Sequence, residues 1–181
     1  MNDKGKKLVG SSIQAQKPVP LEAKVRLQAP NEGWIKISVD RAFTDSDAGI
    51  GLIIRDQNGK QLFSSQWVLC MKSAEEVEAY ACRECLALVA DCTPRPAVLE
   101  SDCSMVINYL LELQKKRQKA LVFAQQFPSV EFRHTRRDQN GVPHELAQLA
   151  KRLCHSAVQR DRVQAYVEHL VTHDFNPTLS V

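Results

Sequence analysis

From Gly33 onward the hydrophobic positions fall into short periods. Ile35, Ile37 and Val39 alternate with Lys36, Ser38 and Asp40, which predicts a half-buried strand ending in an acid on the opposite parity from its apolar residues. Two further apolar runs, Ala48 to Arg55 and Gln61 to Leu69, flank Asp56-Gln57-Asn58-Gly59, whose Asn-Gly step is a tight-hairpin signal. These segments predict an antiparallel meander. Ser73-Ala74-Glu75-Glu76 reads as a capping box, with Ser73 as N-cap, opening a long helix to about Ala90. The core stripe of that helix is Ala81, Cys82, Cys85 and Val89.

Pro94-Arg95-Pro96 then introduces a short buried strand at Val98 and Leu99, which runs through Glu100-Ser101 into Asp102. After Asp102 the period changes, with Val106, Tyr109, Leu110 and Leu113 at helical spacing. The basic run Lys115-Lys116-Arg117-Gln118-Lys119 reads as a solvated helix end or a nucleic-acid contact. A short amphipathic segment, Ala120 to Phe127, is stopped by Pro128, and Val130, Phe132 and His134 alternate as a fifth strand. That strand empties into the polar loop Thr135-Arg136-Arg137-Asp138-Gln139-Asn140-Gly141. A helix starting near Pro143 has Leu146, Leu149, Ala150 and Leu153 as its buried side, and Val163, Tyr166, Val167 and Leu170 repeat the period. Residues 1–31, with Lys17-Pro18-Val19-Pro20, read as a tail or linker, 32–157 as the domain, and 158–181 as a helical extension and tail.

Composition narrows this picture only a little. The 181 residues, 44% hydrophobic and 25% charged, suit one globular domain plus a tail, and a formal charge of +3 decides little about partners. No apolar run approaches a membrane span, and Met1 to Lys7 is not followed by the apolar stretch of a signal peptide. A soluble, intracellular protein of cytoplasm or nucleus is expected, not a secreted one. The six cysteines lack a disulfide-framework spacing, and Cys82-x-x-Cys85 has no second pair at zinc-site spacing, so both read as core.

The chemistry lies in the acids. Asp40 ends the first strand and Asp102 the fourth, while Glu78 stands three, four, seven and eleven residues from the apolar stripe of the first helix. Asp102 reads either as an N-cap or as a functional acid, and Glu78 either as a first-turn acid favoured by the helix dipole or as a carboxylate that needs a cation. The order is three meander strands, helix, strand, helix, short helix, strand and helix, with acids at those three points.

In that order, five segments carry a resemblance: Gly33-Trp34-Ile35-Lys36-Ile37-Ser38-Val39-Asp40, Gly49-Ile50-Gly51-Leu52-Ile53-Ile54-Arg55-Asp56, Ser73-Ala74-Glu75-Glu76-Val77-Glu78-Ala79, Leu99-Glu100-Ser101-Asp102-Cys103 and Asn140-Gly141-Val142-Pro143-His144-Glu145-Leu146-Ala147. Over about Gly33 to Ala157 the chain resembles the ribonuclease H type 1 domain, closest to the reverse-transcriptase-like ribonuclease H domains of plants. The resemblance implies an α/β fold with a mixed five-stranded sheet, an antiparallel three-strand meander plus two parallel strands, flanked by helices. It also implies metal-dependent endonucleolytic hydrolysis of the RNA strand of RNA–DNA hybrids by a monomer with two Mg²⁺ (or Mn²⁺) ions, its partner being RNA–DNA hybrid or structured RNA. Carried over by position, Asp40, Glu78 and Asp102 are metal ligands and the fourth acid falls on His144. Hard divalent ions take carboxylate oxygens, and two of them roughly 4 Å apart can activate water and stabilise the leaving 3′ oxygen. Arg136 and Arg137 would meet strand phosphates, with Asn140 orienting the loop. Two departures set a second reading beside the first. Arg41 follows Asp40 where the family has glycine, and His144 replaces an acid, so the alternative is a catalytically weakened or inactive nucleic-acid-binding module derived from a retroelement.

Overall fold

The structure is a computed structural model that describes residues 28–44, 47–69, 74–93, 95–115, 127–163 and 165–174. The capping residue Ser73, the basic run beyond Lys115, most of the Ala120 to Phe127 segment and the tail before Gln28 lie outside the described residues. Among the described residues the strands are β1 (Ile35–Phe43), β2 (Ala48–Arg55), β3 (Gln61–Leu69), β4 (Ala97–Ser101), β5 (Val130–His134) and β6 (Ala157–Arg160). The helices are α1 (Ala74–Cys92), α2 (Ser104–Lys115), α3 (Gly141–Leu153) and α4 (Glu168–Asp174). None of these helices is long and apolar enough to cross a membrane.

The strands form one mixed sheet in the order β5-β4-β1-β2-β3-β6. β1, β2 and β3 are the expected meander, while β4 and β5 run parallel beside β1. The hairpin between β2 and β3 closes as its sequence demands: Gly59 takes φ 76°, and the Asp56 carboxylate accepts bonds from the Asn58 and Lys60 backbone N–H groups, both at 2.9 Å.

The sheet has six strands rather than the expected five. Ala157–Arg160 pairs antiparallel with β3, so the segment expected to open a helical extension instead continues the sheet. β1 is also buried on both faces, not half-buried, from Ile35 through Asp40. Ile35, Ile37 and Val39 join Leu99 and the α1 residues Val77, Ala81, Cys82, Cys85 and Val89 in one apolar core. On the other face, α3 lies across the meander, where Ile53 packs with Val142, Leu146 and Val167. A central strand with helices on both sides has no wet face, so its polar residues are buried too.

Two helix readings shift for similar reasons. On α2 the buried residues are Val106, Ile107, Leu110 and Leu113, and Tyr109 faces solvent at 57% exposure. Leu153, in the last turn of α3, is exposed because the helix stops there, with Cys154 in the left-handed conformation at φ 46°.

Candidate active site on the central strands

The site is assembled by two glycines. Gly51 lies directly opposite Asp40 in the β1–β2 ladder, and residues so paired share a face of the sheet. A Cβ on Gly51 would stand 1.9 Å from the Pro143 carbonyl oxygen, and one on Gly49 2.1 Å from that of Ala147. Only bare backbone at both positions lets α3 lie directly on β2. That close approach brings His144, in the first turns of α3, against the neighbouring strand: its Nδ1 is 2.7 Å from Asp40 Oδ2.

Asp40 is 4% exposed, and its carboxyl is pushed up to about 6. Burial is the main cause and the charge of Asp102 adds to it, against the backbone N–H of Arg41 and the His144 ring, which favour the anion. Asp102 reaches the same locality by register. β4 pairs with β1 up to Val39 opposite Ser101, so Asp40 and Asp102 follow the last pair on the same parity. Asp102 is not the N-cap of α2. The helix begins at Ser104 and its first bond runs from the Ile107 N–H to the Cys103 carbonyl, which makes Cys103 the cap position.

Glu78 lies within α1, and its side chain is outside the described residues. His144 and Asp40 are thus in contact and Asp102 is close enough to repel Asp40, while the contribution of Glu78 is fixed only to its helix. Arg136 and Arg137 are exposed on the loop after β5, with Arg136 Nε 3.6 Å from Asp138 Oδ1. Asn140 is fully buried, and its Nδ2 donates to the Val39 carbonyl at 2.9 Å. Its side chain therefore faces the protein and bolts the loop to the strand that carries Asp40. A contact between that side chain and a nucleic acid does not fit this placement.

Two features went unassigned in the sequence. His134, paired with Ser101 at the end of β5, places Nε2 3.1 Å from the Asp102 backbone oxygen. Its place beside Asp102 depends on the β4–β5 register, and the alternation of Val130, Phe132 and His134 gave only its parity. The other is a buried ion pair, Lys36 Nζ to Glu100 Oε2 at 2.6 Å, on the face that bears the acids. Among the described residues no group of three or more His, Cys, Asp or Glu side chains is assembled in a form that could hold a metal. The donor chemistry nevertheless fits a divalent oxygen-seeking cation: two carboxylates share one face, and the burial and repulsion that raise Asp40 are what such a cation relieves.

Comparison with solved structures places this architecture in the ribonuclease H fold. Ribonuclease H1 from the archaeon Halobacterium salinarum NRC-1 superposes with a TM-score of 0.59 at 20% identity, over 65% of this chain and 97% of that one. LC11-RNase H1, solved in complex with an RNA/DNA hybrid, gives 0.58 at 19% identity, over 66% and 98%. The N-terminal ribonuclease H domain of rv2228c from Mycobacterium tuberculosis gives 0.60 at 17%, over 67% and 96%. More narrowly, residues 39–150, over half of the sequence, match the model of the reverse transcriptase-like family, and the chain belongs to that family. No curated protein matches the sequence.

Proposed function

We propose that this chain is a metal-dependent endonuclease that hydrolyses the RNA strand of RNA–DNA hybrids. The observation that carries the reading is the buried Asp40, within β1, close to Asp102 just beyond the end of β4 and bonded to His144, in a ribonuclease H fold. Asp40, Asp102 and Glu78 would hold Mg²⁺ or Mn²⁺, two ions when fully loaded. The ions would supply an activated water and charge stabilisation at the phosphate.

The chain's own residues supply the rest. Asp40, kept partly protonated below about pH 6, must release that proton before it can act as a ligand. His144 holds the Asp40 carboxylate in one orientation through its 2.7 Å bond. Arg136 and Arg137, exposed on a loop that Asn140 fixes to β1, are free of the core and suited to phosphate oxygens. In the hydrolysis water adds its oxygen to phosphorus, the bond to the 3′ oxygen breaks, and that oxygen takes a proton. The products are a 5′-phosphate and a 3′-hydroxyl.

A second reading, a module that binds hybrid or structured RNA without cutting, is favoured by the same His144. An imidazole stands where the ribonuclease H type 1 pattern has its fourth acid, and it occupies an oxygen of Asp40. Cleavage of a labelled RNA–DNA hybrid in Mg²⁺ and in Mn²⁺, with an Asp102→Asn control, separates the two. Metal-dependent cleavage that the control abolishes is expected. Folded protein that binds hybrid in a chelator and cuts in neither metal would establish the binding module instead.

A further inference from the structure

The Lys36–Glu100 pair is costly, and the acids four residues beyond Lys36 and two beyond Glu100 explain it. Both side chains are about 95% buried, and a buried ion pair is weak as a source of stability because two charges have left water. Burial pulls the Lys36 amine down while Glu100 opposes that shift. Lys36 Nζ also donates to the Gln28 carbonyl at 3.1 Å, and Glu100 Oε1 lies 3.6 Å from Arg133 Nη1. Arg133 in turn meets Glu131 at 3.3 Å.

The register shows what this chain of charges joins. Glu100 is opposite Ser38 in β1 and opposite Arg133 in β5, so the contacts cross β1, β4 and β5 on the face that bears Asp40 and Asp102. The β1–β4 ladder ends at Val39 opposite Ser101, and the two acids that follow repel one another. Without a tie just below that point, the repulsion acts where β1 and β4 are no longer paired with each other, although β1 stays paired with β2. A slip of one residue would also turn Glu100 into the apolar core on the α1 side, so the pair fixes register as well as spacing.

We propose that Lys36 and Glu100, braced by Arg133, are positioning residues that lock the spacing and register of β1 and β4 from which Asp40 and Asp102 project. The clamp deepens the nuclease reading, and rests on it only where metal binding is the readout. The test compares the full chain with a Lys36→Met/Glu100→Leu double variant, which keeps the volume and removes the charges; Glu100→Gln serves if the double variant does not fold. Amide exchange of Ile35, whose N–H bonds the Pro96 carbonyl at 2.9 Å between β1 and the start of β4, should quicken about tenfold while the β2–β3 ladder is unchanged. Mn²⁺ affinity, measured by titration calorimetry, should weaken about tenfold, the scale seen when a ligand's supports are removed. Unchanged Ile35 exchange would overturn the clamp whatever the metal result. Faster exchange in a chain whose native form binds no Mn²⁺ would leave the clamp standing and remove the metal reading.

Discussion

Asp40→Asn should make the metal-free protein more stable while abolishing cleavage. The Asp40 carboxyl lies at about 6 in the folded chain and near its ordinary 3.8 when unfolded. Between those values the folded state binds more protons than the unfolded one, so stability falls as pH rises through this window and the full penalty stands above about pH 6. A shift of two units corresponds to roughly 3 kcal/mol, at 1.4 kcal/mol per unit. Asparagine removes the charge but keeps an oxygen for the Arg41 N–H and a partner for His144 Nδ1 in either tautomer. In EDTA at pH 8 the variant should gain about 3 kcal/mol by urea denaturation, or roughly 6–12 °C in Tm. At pH 3.5 the wild-type carboxyl is protonated in the folded state and mostly so in the unfolded one, and the gain should shrink to a few tenths of a kcal/mol. A gain of equal size at both pH values, or a loss at pH 8, would refute the electrostatic account.

Gly51→Ala should cost at least about 3 kcal/mol in denaturant unfolding, because its Cβ would stand 1.9 Å from backbone that cannot move without lifting α3. Gly141→Ala, with nothing within 4 Å, is the control and should be neutral or slightly stabilising. Asn140→Ala should cost roughly 1–3 kcal/mol by thermal melting, since it leaves the buried Val39 carbonyl without its 2.9 Å bond.

The parts of the fold that were legible in the sequence are those written locally. β2 and β3 occupy the predicted spans because alternation and an Asn-Gly turn fix them within a few residues. The α1 stripe of Ala81, Cys82, Cys85 and Val89 is buried throughout, as its spacing requires. What was not legible depends on partners distant in sequence. β6 has four residues of which two are apolar, and only β3 across the sheet makes it a strand. Lys36 and Ser38 looked wet because alternation reports the parity of a strand but not what covers its second face. The site was legible as acids, but Asp40, expected to end its strand, lies within β1, which pairing with β2 carries on to Phe43; its contact with His144 spans 104 positions and depends on Gly49 and Gly51, whose packing role no local period reveals.

The two departures from the family pattern act differently on the acids. Arg41 stands on the opposite parity from Asp40, and what it gives the carboxylate is its backbone N–H, a contact that glycine would also provide. His144 changes the balance of charge. An acid there would add a third carboxylate to a site where burial and the charge of Asp102 already push Asp40 up to about 6, and the chain without metal would carry a larger penalty. Histidine instead bonds to Asp40 and favours its anion, so the empty arrangement is less costly to fold. The same exchange leaves fewer hard oxygens for a divalent ion. On the proposed function, this chain therefore trades metal affinity for stability in the absence of metal, and its activity should need a higher metal concentration for half-saturation than that of a four-acid site.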